Sequence, residues 1–179
     1  MTNQEMLGHK ETALALLKKA HIAISADEAG NVEICDYNLG DYKRIGTAII
    51  IYVNTKRVCA KEMILTPNQT CPEHMHPQVG GYPGKEETFR CRYGEVRLYI
   101  PGPPTPNSLA VVPEERKQHF TVWHEIILHP GEQYTLKEQT RHWFQAGPDG
   151  AVISEFSTPS FDDQDIFFDP DIVRKANFV

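Results

Sequence analysis

Apolar positions recur at helical spacing only near the start of the chain. Between residues 3 and 20, Leu7, Leu14 and Leu17, with Ala13 beside them, form one stripe, while Lys10, Glu11 and Lys18 point away from it. Thr2 or Asn3 can cap the first turn. The pattern predicts an amphipathic helix over about residues 3–21, packed on the body of the protein. After a polar turn at residues 27–31 the spacing shortens to that of strands. Residues 45–53 are apolar and β-branched, Asn54-Thr55 makes a turn, and residues 57–65 return. Residues 71–77 follow. Residues 87–93 alternate, with Glu87, Phe89 and Cys91 on one face and Thr88, Arg90 and Arg92 on the other. Gly94 is read as a turn, and Val96, Leu98 and Ile100 mark the next strand. Four prolines within residues 101–106 exclude helix and central strand there.

Further strands are predicted at 121–128, 133–136, 141–146 and 151–156, the last two joined by a turn at Gly147-Pro148-Asp149-Gly150. Strands recurring every roughly 8–12 residues mark an antiparallel sandwich or barrel. The expected fold class is therefore all-β, with an N-terminal α-helix. A chain of 179 residues fits one domain at the usual size of roughly 100–200 residues. The expected organisation is a single domain over 1–179: the helix, a barrel core at about 45–157, and an acidic, aromatic C-terminal segment at 158–179.

Charge narrows the partners. Residues 155–173 carry six acids and no Lys or Arg, which equals the whole formal net charge of −6. No basic stripe exists to hold nucleic acid or an anionic membrane. The acidic segment is read as solvated surface. Cys35, Cys59, Cys71 and Cys91 are scattered without a CxxC pair. Residues 1–10 lack a basic stretch followed by an apolar one, and the longest apolar run, 48–53, is too short to span a bilayer. A cytoplasmic protein with reduced thiols is expected.

Candidate chemistry starts at His74-Met75-His76. Residues two apart on a strand share a face, so both imidazoles reach one point, and imidazole suits first-row divalent metals. Taken alone, this spacing is more often surface or core histidine. Glu87 shares an inward face with Phe89 and Cys91, where a carboxylate needs a cationic partner; Glu86 points the other way. His142 shares a face with Phe144 and Ala146, opposite Arg141, Trp143 and Gln145. Lys61 and Glu62 straddle a strand, so one of them faces in, and the register leaves open which. His119, His124 and His129 read as structural or surface residues, and His9 and His21 carry no ligand signal. Tyr82 and Arg141 are weaker candidates, and Trp143 is expected to pack away from the site.

His74-x-His76, followed by Glu87 with six residues before Gly94, resembles the first cupin motif, and Pro130-Gly131 through His142 resembles the second. The gap from His76 to Glu87 departs from most cupins: Pro77 to Glu86 makes ten residues, where most have three or four. That insert, with the Gly84-Lys85-Glu86-Glu87-Thr88-Phe89 run and the later Arg141-His142-Trp143-Phe144-Gln145-Ala146-Gly147 block, resembles the small cupin-type D-lyxose isomerases over roughly residues 45–157. The resemblance implies a cupin double-stranded β-helix, that is, a jelly-roll barrel. It implies an aldose–ketose isomerase acting on D-lyxose and D-xylulose, with D-mannose and D-fructose as related sugars. It also implies a divalent cation, Mn2+ ahead of Zn2+, Co2+, Ni2+ or Fe2+, held by His74, His76, Glu87 and His142.

Three imidazoles and one carboxylate leave two positions of an octahedron for sugar oxygens. A base must then move a proton from C2 to C1 through an enediol; a hydride shift is the open alternative. Glu155, inward with Ala151 and Ile153, is expected to be desolvated and poised near the working pH. Lys85, two residues before Glu87, is expected to have its pKa lowered by a nearby cation, or else to stay charged and steady the enediolate. Rival readings are a metal dioxygenase, a phosphosugar isomerase using Arg90, Arg92, Arg97 or Arg141, and a non-catalytic sugar-binding cupin. A homodimer is expected, its strand edges covered by the helix and by Phe156, Phe161, Phe167 and Phe168.

Overall fold

In a computed structural model describing residues 1–174, Thr2 caps the first helix, α1 (Asn3–Lys19). Its hydroxyl accepts from the Glu5 amide, and the Glu5 carboxylate accepts from the Thr2 amide. The buried face is Ala13, Leu16 and Leu17. Leu7, expected on that face, is exposed, because the first turns of α1 extend beyond the sheet it covers. The expected polar turn at 27–31 is instead a short helix, α2 (Ala26–Gly30). Ser25 and Glu28 cap it reciprocally, a Ser-x-x-Glu signal that the strand-spaced residues around it masked.

Nine strands follow: β1 (Glu33–Cys35), β2 (Thr47–Asn54), β3 (Cys59–Leu65), β4 (Thr70–Met75), β5 (Glu87–Ile100), β6 (His124–Leu128), β7 (Gln133–Leu136), β8 (His142–Ser157) and β9 (Ile166–Phe167). Every pairing between them is antiparallel. The two long strands belong to two layers at once. The second half of β8 and the first half of β5 lie in a layer ordered β1-β2-β3-β8-β5-β7. Their other halves lie in a layer ordered β9-β4-β8-β5-β6. This is the expected cupin double-stranded β-helix with an N-terminal helix.

The turns expected at Gly94 and at residues 147–150 are bends within continuous strands. Residues 147–150 of β8 oppose Glu95 alone, between the pairs Ala146–Val96 and Ala151–Gly94. Both strands keep the same neighbour on either side of the bend, so the chain changes layer without reversing. Gly94 and Gly150 have φ of 71° and 83°, and a Cβ on Gly94 would lie 1.9 Å from the Gly150 carbonyl oxygen.

Apolar side chains of both layers, among them Met63, Phe89, Cys91, Leu98, Phe144 and Ile153, fill the barrel. Helix α1 covers Ala48, Ile50, Ile64 and Val152 on the outside. Trp143 stacks on Tyr99 at 3.8 Å in a separate outer cluster, away from His142 as expected. All four cysteines are buried and free. No helix among the described residues is long and apolar enough to cross a membrane.

The acidic segment is not the solvated surface expected from its composition. It folds back across the barrel mouth. Asp162 pairs with Lys61 at 2.7 Å, Asp169 pairs with Arg116 at 2.5 Å, and β9 adds to the edge of β4. Phe161 packs on Tyr82, Phe167 on Tyr37, and Phe168 lies under the Arg141 guanidinium. Three of the four aromatics expected to cover an edge thus cover their own barrel, while Phe156 stays half exposed. Residues 175–179 of the expected segment lie outside the described residues.

Gly94→Ala is expected to cost at least about 3 kcal/mol, because it combines a left-handed backbone with an unavoidable clash. Gly8→Ala, in open space on α1, should stabilise by about 0.5–1 kcal/mol. Denaturant titrations of both variants test this; a Gly94→Ala protein as stable as the parent would mean that the bends do not need their close approach.

Candidate active site

Because β8 bends at its middle, both of its ends open on one mouth. His142 starts the strand and pairs with His74 of β4; Glu155, near its end, pairs with Lys61 of β3. Glu87 opens β5 opposite Ser157. Three histidines converge there: His74, His76 and His142 each bring one nitrogen within 4.8 Å of the others, and all three are buried. Glu87 Oε1 lies 3.1 Å from Nε2 of both His76 and His142.

Each outer imidazole nitrogen has an acceptor. His74 Nδ1 lies 2.8 Å from the Pro72 carbonyl, His142 Nδ1 2.9 Å from the Thr140 carbonyl, and His76 Nδ1 2.5 Å from Asp165 Oδ1. For His74 and His142, an Nδ1–H donating outward leaves the Nε2 lone pair facing inward, whereas His76 is held at both nitrogens, its Nε2 hydrogen-bonding Glu87 Oε1. His142 Nε2 is buried and makes no hydrogen bond, although Glu87 is close. A buried orphan nitrogen beside two other imidazoles and a carboxylate is a donor set that can hold a metal ion.

Lys85 joins this centre to Glu155. Its Nζ is 2.7 Å from Glu87 Oε2, an ion contact without hydrogen-bond alignment, and it donates to Glu155 Oε1 at 3.1 Å. Glu155 also accepts from Ser157 Oγ at 3.0 Å. Glu155 is therefore buried and inward as expected, but it is not a lone carboxylate.

Burial alone would drive the Lys85 ammonium toward neutrality. Glu155 and Glu87 outweigh it and hold the pKa well above the usual lysine value, which keeps Lys85 charged, one of the two alternatives expected for it. Burial likewise opposes ionisation of Glu87, yet Lys85, His76 and His142 hold it well below the carboxylate range. Burial, with His142 and His76 nearby, pushes His74 well below 6.5. For His76, burial and Lys85 act downward, but Glu87 and Asp165 raise it to about 9.

The strand register settles the Lys61–Glu62 question: Lys61 faces the cavity, where it donates to Ser160 Oγ at 2.9 Å and pairs with Asp162. Glu62 faces outward and accepts from Ser154 at 2.7 Å. The cavity gathers His74, His76, Glu87, Lys85, Glu155 and Lys61 with Asp162, Asp165 and Arg174 from the C-terminal segment. Sequence reasoning missed those last three. For the two aspartates the local signal was a run of acids interleaved with phenylalanines; Arg174 had none. Tyr82 lies in a small adjoining pocket. Arg90, Arg92, Arg97 and Arg141 are turned to Gln133, Ser154, Glu95 and Thr121, outside the cavity.

Fold and site together define an enzyme of the cupin class, with a buried imidazole–carboxylate centre beside a lysine–glutamate pair. Residues 10–178 match the family model described as D-lyxose isomerase. The chain is 53% identical over 179 residues to the D-lyxose ketol-isomerase of Thermofilum sp., covering 100% of this chain and 99% of that one. It is 55% identical over 165 residues to the D-lyxose/D-mannose isomerase of Thermosediminibacter oceani, covering 92% and 91%. The L-ribose isomerase of Cellulomonas parahominis, solved with L-ribose, shares the fold at a TM-score of 0.80 and 16% identity, over 96% of this chain and 94% of that one. The chain belongs to the D-lyxose isomerase family and is a sugar isomerase.

Asp162 offers a test of how the C-terminal segment is fastened. Burial opposes its charge, but Lys61 and Lys85 hold its carboxyl well below the usual range. Its contribution to stability is present above the unfolded value near 3.9 and fades as the pH falls toward the lower folded value. Asp162→Asn should cost about 3 kcal/mol at pH 7 by stranding Lys61, and the gap to the parent should narrow by about 1 kcal/mol at pH 3. Denaturation midpoints across that range test it; a gap that does not change with pH would remove the ion pair as the cause.

Proposed function

We propose that the protein interconverts D-lyxose and D-xylulose, and by the same step D-mannose and D-fructose, through proton transfer between C2 and C1 of the open-chain sugar. The observation that carries this reading is the Lys85–Glu155 pair, set in one cavity with His74, His76 and Glu87, with His142 buried against them. In this reading His74, His76, His142 and Glu87 hold a divalent cation, manganese ahead of zinc, cobalt, nickel or iron. Such an ion, when bound, polarises the sugar carbonyl and offsets the negative charge that develops on oxygen.

The chain's own groups move the protons. Glu155 takes the proton from C2; the C–H electron pair becomes the C1=C2 bond, and the carbonyl pair moves onto O1. Lys85 gives a proton to O1 and recovers one from O2. Glu155 then returns its proton to C1 as C2=O forms. The carboxylates that keep Lys85 charged suit it to donate first. Apolar walls from Phe89, Phe144 and Phe167 exclude water, which strengthens each of these interactions. A phosphosugar fits less well, because Lys61 and Lys85 are already paired with carboxylates and the four arginines expected to bind phosphate lie elsewhere.

The same reading takes residues 1–179 as one cupin domain of a cytoplasmic homodimer. The four free thiols support the compartment. Ile51, Tyr52, Val53 and Phe156, exposed on strands of one layer, and Val58 in the turn between β2 and β3 support a second copy.

Proton NMR of D-lyxose with the manganese-loaded protein, in deuterated buffer without oxygen, tests the reaction. D-xylulose carrying deuterium at C1 is expected. No ketose from a sample holding one metal per chain would sink the D-lyxose assignment, turnover only with oxygen would favour the dioxygenase, and ketose without deuterium would leave the isomerase standing and favour a hydride shift or a proton shielded from solvent on Glu155. Glu155→Gln should lower kcat by about 100-fold or more. Glu87→Gln and His142→Ala should lose bound manganese.

A further inference from the structure

His74 and His142 are oriented by their own stretches of chain, and His76 is not. The Pro72 and Thr140 carbonyls that face the first two lie two residues before each histidine. The acceptor for His76 comes from Asp165, 89 residues further along the chain. Strand β9 delivers it. Phe167 pairs with His74 and Ile166 with Met75, so Asp165 falls opposite His76. The Phe167 ring also stacks on His74, at 5.4 Å and 29°. The Asp165 side chain is 8% exposed, and its contact with His76 is 2.5 Å. Residues 160–169 thus form a strap, fastened by Asp162 to Lys61 at one end and by Asp169 to Arg116 at the other. The Phe168 amide donates to the Glu73 carbonyl between them at 3.1 Å.

We propose that Asp165 is the positioning residue for His76, and that docking of the strap and binding of a divalent metal at the histidine centre favour each other. This rests on the metal reading of the site given above. The carboxylate accepts from Nδ1–H and fixes the ring with Nε2 at the centre beside Glu87, where that nitrogen becomes the stronger metal donor once its own proton is lost. Without the strap, His76 is free to rotate or to carry its proton on Nε2, and one of three imidazoles is lost to the centre. Linkage makes the effect reciprocal: whatever factor the docked strap adds to metal affinity, the metal adds to the docked strap.

Two readouts test the proposal on the full chain. Mn2+ affinity, measured by competition with a chelator, should fall about 10–100-fold in Asp165→Ala and less in the isosteric Asp165→Asn. Hydrogen exchange at the Phe168 amide should slow when Mn2+ is added to the parent protein and respond little in either variant. Arg116→Ala, which loosens the far end of the strap without touching the centre, should lower Mn2+ affinity by a smaller factor. Circular dichroism checks folding, and Asp165→Asn serves if the alanine variant does not fold. Unchanged Mn2+ affinity in Asp165→Asn and Arg116→Ala, or strap exchange indifferent to Mn2+ in the parent, would overturn the coupling and leave the metal reading intact. A parent protein that binds no Mn2+ would overturn both.

Discussion

Two backbones touch where β5 and β8 change layer, and the mouth of the barrel is arranged around that contact. A straight strand of sixteen residues would place His142 and Ser157 some fifty ångströms apart, at about 3.4 Å per residue. The bend at residues 147–150 brings both ends of β8 to the same opening. There His142 from one end and Glu155 from the other meet Glu87, which heads the companion strand. Glycine at 94 and 150 is what allows the two bends to nest, since no side chain fits between Gly94 and the Gly150 carbonyl.

The cavity is a problem of buried charge before it is a problem of catalysis. Glu87, Glu155, Asp162 and Asp165 enter a space of low polarisability, and isolated carboxylates there would be very costly. Lys61, Lys85, Arg174 and the histidines supply the counter-charge. Lys85 makes both of its ion contacts inside the cavity, so one side chain ties the imidazole centre to Glu155. A pocket balanced in this way offers hydrogen-bonding groups of both signs, which suits a polyhydroxylated neutral molecule better than a dianion.

Alternation along strands made much of this legible before any coordinates. Parity alone turned Glu87 inward and Glu86 outward, put His142 with Phe144, and sent Trp143 to the opposite side. Parity needs a register, however. Lys61 and Glu62 could not be separated until β3 was set against β8, where Lys61 meets Glu155. Gly94 and Gly147-Pro148-Asp149-Gly150 were recognised as breaks, but a reversal and a bend call for the same residue types; only the identity of the flanking partners distinguishes them. The acidic segment was misread for a related reason. Whether a carboxylate faces water or a buried lysine depends on a residue far away in the chain, and local composition carries no trace of Lys61 or Arg116.

The distance along the chain between Lys61 and Asp162 bears on how the protein is made. The two are 101 residues apart, and His76 and Asp165 are nearly as far. During synthesis the first strands leave the ribosome long before either partner exists, and contacts of such separation close late. A nascent chain that has finished β7 still lacks His142, Glu155 and both aspartates. The barrel mouth is therefore assembled late, when residues 162–169 lay counter-charges over a lysine that has waited for them.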